Sequence, residues 1–475
     1  MDLDLFREYG HRFVDWIAGF YENIESYPVL SQVKPGDIKN QLPTTPPGEG
    51  EGIEYIFEDF KRIILPGITH WQHPSFFAYF PANTSIPSLL AEMLTAALGA
   101  QCMVWQTSPA GTELEEVVME WVRRMLGLPE GFSGVIQDTA STATLCALLC
   151  ARERSTDFSI NSGGFTGEGK GHRLAVYTSE QAHSSIEKGA KIAGFGREYV
   201  RLIPVDERMQ LLPKELENAM SKDRAEGITP CCVVAACGTT SSMAIDPLRP
   251  IGEICNKEGI WLHVDAAMAG SAAILPEARH ILDGVELADS FVFNPHKWLF
   301  TNFDCSAYFC RDPRQLVKTF SITPEYLKTD VDMKVKNFRD WGIPLGRRFR
   351  ALKLWFVIRS MGVKGIQERL RAHIRLAEEF AGWIEEDERF ELVVPVSLNL
   401  VCFRYNPKGK NLPEEKLEGL NNALLNNLNR SGKLFLTHTK LGGKYTLRLC
   451  IGQTNTERRH VEDAWNMIQT SRLVS

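Results

Sequence analysis

WLHVDAA at residues 261–267 and SFVFNPHKW at residues 290–298 follow one plan. Each is a short apolar run that stops on side chains able to do chemistry: Asp265 in the first, and Asn294, His296 and Lys297 in the second. A short run rich in β-branched and aromatic residues, without polar alternation, reads as a strand buried on both faces. Such strands belong to mainly parallel sheets covered by helices. Similar runs at 174–178, 232–236 and 306–310 join the two quoted ones, read as strands over 260–265 and 290–294. Helical patterns separate most of them, as in an α/β domain. Ligands in such sheets collect at the carboxyl ends of strands, so Asp265 and Lys297 are expected in one crevice.

Away from this core the pattern changes. Residues 1–85 read as mostly helical: Phe6, Phe13, Ile17, Phe20 and Tyr21 recur at helical spacing until Pro28 and Pro35 intervene. PTTPPGEGEG (43–52) is a loop, 53–65 resumes a helical pattern, and 71–81 is aromatic and irregular. So short a helical segment cannot bury its own apolar face, so it is expected to pack on another domain or subunit. After Trp355 come a long helix, strands near 390–394, 400–405 and 445–450, and a closing helix. The expected organisation is a helical segment over 1–85, a large domain over 86–355, and a smaller α+β domain over 356–475.

The 475 residues are 44% hydrophobic and 24% charged, and 53 Lys plus Arg against 59 Asp plus Glu leave a net charge of -6. Those proportions exclude fibrous and disordered classes, and a slightly acidic chain without a basic block suits neither nucleic acid nor an anionic membrane. The most apolar stretch, 86–105, is broken by Glu92 and Gln101 and reads as a buried helix, not a membrane span. The 11 cysteines are scattered without a CxxC pair, and Cys305 and Cys310 lack histidines at zinc-ligand spacing. Free buried thiols in a reducing compartment follow, with no metal site. MDLDLFREYG lacks the apolar core of a signal peptide, so the expected location is cytoplasmic.

An Asp and a Lys at neighbouring strand ends suit one task well. The amine can form a Schiff base with an aldehyde cofactor, and the carboxylate can keep a pyridine nitrogen protonated. An ion pair capping the sheet would use the same spacing. Other residues favour the cofactor. VIQDTASTATL (135–145) ends an apolar run and opens a helix with Thr139, Ala140 and Ser141, a place for a phosphate. In SEQAHSSIEKG (179–189), His183 follows the strand ending at Thr178, with Ser184 and Glu187 at capping-box spacing. ACGTTSS (236–242) ends another strand with hydroxyls, and Thr240 is within reach of the same crevice. Together they read as a pyridoxal phosphate pocket in which His183 lies flat on the ring.

The chain resembles the group II pyridoxal-phosphate decarboxylases, in particular the aromatic L-amino-acid (DOPA-type) decarboxylases. The resemblance spans nearly the whole length, through HWQHPSFFAYFP (70–81), SPAGTELE (108–115), HVDAAMAG, FNPHKW and WGIPLGRRFR (341–350), in the family's order. It implies the type I, aspartate aminotransferase-like fold with a mainly parallel seven-stranded sheet. It also implies a homodimer with its active sites at the subunit interface. The implied substrates are DOPA, 5-hydroxytryptophan, tryptophan, tyrosine or phenylalanine.

Carried over residue by residue, Lys297 matches the Schiff-base lysine and Asp265 the partner of the pyridine nitrogen. His183 matches the stacking histidine, with Ala267 on the opposite ring face. Ala140, Ser141 and Asn294 match the phosphate cup, and Thr240 and His296 match residues lining the cofactor. Trp71, Tyr79, Phe80 and Pro81 match the aromatic wall of the substrate pocket. Tyr326, in TPEYLKTD, matches a loop tyrosine that protonates the substrate carbon once carbon dioxide has left.

Several positions depart from the animal enzymes. Met268 replaces a Tyr, Ala82 replaces a Thr, and Gln101 and Met103 replace apolar and aromatic groups that face the partner's site. Gly346 matches a position lining the partner's pocket, where relatives preferring tyrosine or histidine carry Ser. These replacements resemble those of bacterial members and imply a bacterial source. The nearest alternative activity is that of an aromatic aldehyde synthase. Plant members of that group carry Phe at the loop position and insect members Asn at the stacking position, whereas this chain keeps Tyr326 and His183.

Overall fold

The central sheet of the computed structural model, which describes residues 2–165, 171–322 and 334–471, has seven strands. They are β1 Ser133–Gln137, β2 Leu174–Ser179, β3 Val200–Ile203, β4 Thr229–Ala236, β5 Trp261–Asp265, β6 Ser290–Phe293 and β7 Ser306–Cys310, in spatial order β1-β7-β6-β5-β4-β2-β3. The pairs from β3 across to β6 are all parallel, whereas β7 is antiparallel to both β6 and β1. Two reversals cancel, so β1 runs in the same direction as β6. Its carboxyl end therefore opens on the same edge as those of β2, β4, β5 and β6.

The unbroken apolar runs are explained by cores on both faces. Val176, Val234, Trp261 and Val292 point into one, and Tyr177, Val233, Leu262 and Phe291 into the other. Successive residues of a strand alternate between faces, so a sheet covered twice needs every residue apolar. Helices α1 Leu3–Glu22, α2 Ile53–Asp59, α3 Ile86–Leu98, α4 Pro109–Leu126 and α5 Ala140–Ser155 precede or follow β1. The second sheet is antiparallel, in order β10-β11-β9-β8, from β8 Phe390–Leu392, β9 Leu400–Tyr405, β10 Thr437–Leu441 and β11 Lys444–Cys450. Its core holds Phe380, Phe403, Leu424 and Trp465. The helix Arg350–Glu386 joins the two sheets and is broken at Gly362, where φ is 65° and ψ 165°.

One expectation needs correction. The stretch at 86–105 is not a buried helix: α3 exposes Ile86, Leu90, Met93, Leu94 and Leu98. Among the described residues, nothing covers that apolar face. In the amino-terminal segment, Phe13 and Trp16 of α1 pack on Phe57 and Phe60, and Phe76 packs on Phe435 of the carboxyl-terminal unit. Even so, α1 buries none of its residues. Among the described residues, no helix is long and apolar enough to cross a membrane.

Candidate active site

At the shared strand edge lies a cavity of about 150 Å³, and the sequence-derived candidates Ala140, Ser141, His183, Thr240, Asp265, Ala267, Asn294 and Lys297 all line it. Each arrives from a strand end: the first turn of α5 after β1, His183 after β2, Thr240 after β4, Asp265 on β5 and Lys297 after β6. Thr139 caps α5, its hydroxyl accepting from the Thr142 N–H, so the free N–H groups of the helix face the cavity at Ala140 and Ser141. That end is a seat for an anion.

The electrostatics suit a flat, charged ring. Burial pulls the Lys297 amine below its ordinary pKa, and the neighbouring Asp265 opposes the shift. Asp265 itself is buried and accepts the Ala267 N–H at 3.0 Å, which fixes its rotation. His183 Nδ1 accepts the Ser185 main-chain N–H at 3.1 Å and lies 2.7 Å from the Ser185 hydroxyl. A main-chain N–H can only donate, so the proton of the neutral ring resides on Nε2. Burial lowers the His183 pKa, which keeps the imidazole neutral at pH 7. The Ser306 hydroxyl donates to Asn294 Oδ1 at 2.6 Å. An anionic group at α5, a protonated nitrogen at Asp265, an electrophilic carbon at Lys297 and a planar body beside His183 together describe a pyridoxal phosphate.

His296 is elsewhere. Its Nδ1 accepts the Cys305 N–H at 3.0 Å, its ring lies 4.8 Å from Phe303, and burial lowers its pKa to about 3. Consecutive residues of a helical turn do not face the same way, so with Lys297 in the cavity its neighbour points into the protein. Thr139 and Met268, both noted in the sequence, also line the cavity, as do Ser185, Ala236, Gly238 and Thr239, which were not singled out as site residues. Gly238 is required there: its φ is +92°, and a Cβ would come within 2.7 Å of Ala269 Cβ.

None of the aromatic residues lines this cavity, and Phe80 stands near it. Lys297 Nζ lies 5.9 Å from the Phe80 ring centre, and Phe80 packs on Trp298. Trp71 and Tyr79 stack at 5.7 Å. Sequence reasoning missed Arg448, which is buried on β11. It donates to the Thr240 carbonyl at 2.7 Å, the Ser241 carbonyl at 2.8 Å, the Tyr79 carbonyl at 3.3 Å and the Thr437 hydroxyl at 3.0 Å. No local motif marks it, because its main-chain partners come from two distant segments.

Gln101, Met103 and Gly346 form a second group. Gln101 Oε1 accepts the Arg347 N–H at 2.6 Å, and a Cβ at Gly346 would stand 3.4 Å from Gln101 Nε2. Cys102 N–H donates to the Arg347 carbonyl, and Arg339 N–H to that of Met103. None of these three residues lines the cavity, nor do Pro81 and Ala82. Tyr326 lies outside the described residues.

Comparison with known proteins agrees with this geometry. Residues 35–406 match the family described as the pyridoxal-dependent decarboxylase conserved domain. Phenylacetaldehyde synthase of Arabidopsis thaliana is 46% identical, over 99% of this chain and 96% of its own. Tryptophan decarboxylase 2 of Oryza sativa subsp. japonica is 45% identical, over 99% and 95%. The structure of Oryza sativa TDC with PLP and tryptamine superposes with a TM-score of 0.95, at 38% identity over 99% of this chain and 98% of that one. These relatives are plant proteins, and the bacterial source inferred from Met268, Ala82, Gln101 and Met103 finds no support in them.

Proposed function

The chain belongs to the pyridoxal-dependent decarboxylase family, and from that premise we propose that it decarboxylates aromatic L-amino acids to their aryl amines and carbon dioxide. The observation that carries this reading is the meeting of Lys297, Asp265, His183 and the first turn of α5 in one cavity. When bound, pyridoxal phosphate supplies the sink for the electron pair that carbon dioxide leaves behind. Ala140, Ser141 and Asn294 would hold its phosphate, Asp265 its ring proton, and His183 and Ala267 its two faces. Lys297 would hold its aldehyde, since a buried amine with a lowered pKa is a better nucleophile at neutral pH than an exposed one. Tyr326 is assigned the proton that reaches the substrate carbon, on the strength of the resemblance alone.

The substrate class follows from the wall. Trp71, Tyr79 and Phe80 offer flat apolar surface, and each well-placed ring pair adds about 0.5–1.5 kcal/mol beyond area. Arg448 is a basic group beside this wall, but its guanidinium is engaged by Thr240, Ser241, Tyr79 and Thr437 and is not free to offset a glutamate side chain. DOPA-type substrates are therefore placed first and indoles next, with glutamate excluded and histidine poor. The site is completed in a homodimer, with residues 1–85 packing on the second subunit. The exposed apolar face of α3 supports that reading, as does the separation of Gln101, Met103 and Gly346 from the cavity. Eleven unpaired, buried thiols support a cytoplasmic location.

A second reading is favoured by the 46% identity to phenylacetaldehyde synthase: oxidative release of aldehyde, ammonia and peroxide. Tyr326 and His183 argue for the amine. One experiment separates the two. L-DOPA, 5-hydroxytryptophan, tryptophan, tyrosine, phenylalanine, glutamate and histidine are each supplied, and amine, carbon dioxide, aldehyde and peroxide are all quantified. Amine should equal carbon dioxide for the aromatic substrates, and Tyr326→Phe should raise the aldehyde share. Peroxide matching carbon dioxide in the unaltered enzyme would establish the second reading. A kcat/KM for glutamate or histidine above every aromatic would overturn the substrate class.

A further inference from the structure

Residues 82–88 run along the turn that bears Lys297, and one side chain among them is committed to that turn. Asn83 is 1% exposed and uses its full hydrogen-bonding capacity. Its amide donates to the carbonyl of Lys297 and, at 2.7 Å, to that of Gly452. Its Oδ1 accepts from the Thr454 N–H at 2.7 Å and the Thr454 hydroxyl at 2.8 Å. Its own main-chain N–H donates to the His296 carbonyl at 2.8 Å. A single residue thus holds two successive carbonyls of the lysine turn and ties them to the segment after β11. Asn83 is itself held, since Gln72 donates to the Ala82 carbonyl at 2.7 Å and accepts the Thr84 N–H at 2.9 Å.

The lysine turn needs such a hold. The helix Pro295–Trp298 has four residues, too few to fix its own orientation. Lysine has a flexible four-carbon stem, so the position of its amine depends on where the main chain starts. We propose that Asn83 is a positioning residue for Lys297. It pins the lysine's main chain against Gly452 and Thr454 and thereby sets where the amine stands in the cavity. This rests on the reading of Lys297 as the cofactor-bearing lysine.

The test compares holoenzyme of the unaltered chain with Asn83→Ala, Asn83→Ser and a control, Asn421→Ala. Asn421 is equally buried and hydrogen-bonds the main chain of Tyr405 and Leu417, within the carboxyl-terminal unit. Melting temperature, the pH titration of the bound cofactor's visible absorbance, the rate of borohydride reduction, kcat and KM are measured for each. Asn83→Ala should shift the spectral midpoint and cut kcat roughly tenfold or more, with KM within about twofold. Asn83→Ser, which keeps one donor, should fall between Asn83→Ala and the unaltered enzyme. Asn421→Ala should lose melting temperature without moving the spectrum or kcat. If the Asn83 variants lose only melting temperature, as the control does, the residue is structural and the proposal is overturned. If Asn83→Ala does not fold, Asn83→Ser decides by the same comparison. A holoenzyme with no borohydride-reducible chromophore would remove the lysine assignment, and this proposal with it. That result is distinct from variants that share an intact chromophore with the unaltered chain.

Discussion

Lys297 shows why a strand end is the right place for a nucleophile. The strand before it is fully buried, so the turn that follows starts from a rigid point, and the amine is drawn out of water. Lys297→Ala should abolish turnover and the borohydride-reducible chromophore while leaving the melting temperature of the apoprotein near that of the unaltered chain. Normal turnover in that variant would sink the assignment. The residues legible in the sequence were of this kind, chemical side chains placed just after apolar runs. Asp265, His183, Asn294 and the Ala140–Ser141 turn all belong to it. Asn83 and Arg448 were not legible, because their work is hydrogen bonding to main chain far away in the sequence, and no spacing rule reaches that far. His296 was misplaced by the same limit: a motif names neighbours but not which way each side chain turns.

Strands with both faces buried announce themselves; half-exposed ones do not. β3 exposes Leu202, and β10, THTKL, alternates polar with polar, so neither carries the apolar run by which the other strands were read. The long helix after Trp355 was anticipated, but it starts earlier, at Arg350, and its break was not foreseen. At Gly362 the backbone enters a region essentially reserved for glycine, and open space surrounds the position. Conformation alone, not crowding, therefore decides what a side chain there would cost. Gly362→Ala should lower unfolding free energy by about 1–3 kcal/mol in urea titrations, with kcat and KM unchanged. An unchanged midpoint would mean that the helix can run straight through at no cost.

At the scale of the whole molecule, one apolar helix face stands out. The face of α3 that carries Leu90, Met93, Leu94 and Leu98 lies open, although these are residues that burial would stabilise by about 25 cal/mol per Å². Met103 and Gly346, with Gln101 between two backbone segments, do not line the Lys297 cavity of their own chain. A twofold pairing would answer both facts, covering the apolar face and bringing each 101–103 segment to the other subunit's cavity. Leu90→Glu combined with Leu94→Glu puts two carboxylates on that face, where burial would leave them unpaired at a cost of several kcal/mol. The unaltered chain should sediment as a dimer and the double variant as a monomer with native circular dichroism. If the partner completes the site, kcat/KM should fall with dimer content, and raising the protein concentration should recover part of it. A double variant that is monomeric yet fully active would show that one chain holds the entire site. Gln101, Met103 and Gly346 would then lose their proposed place beside the substrate.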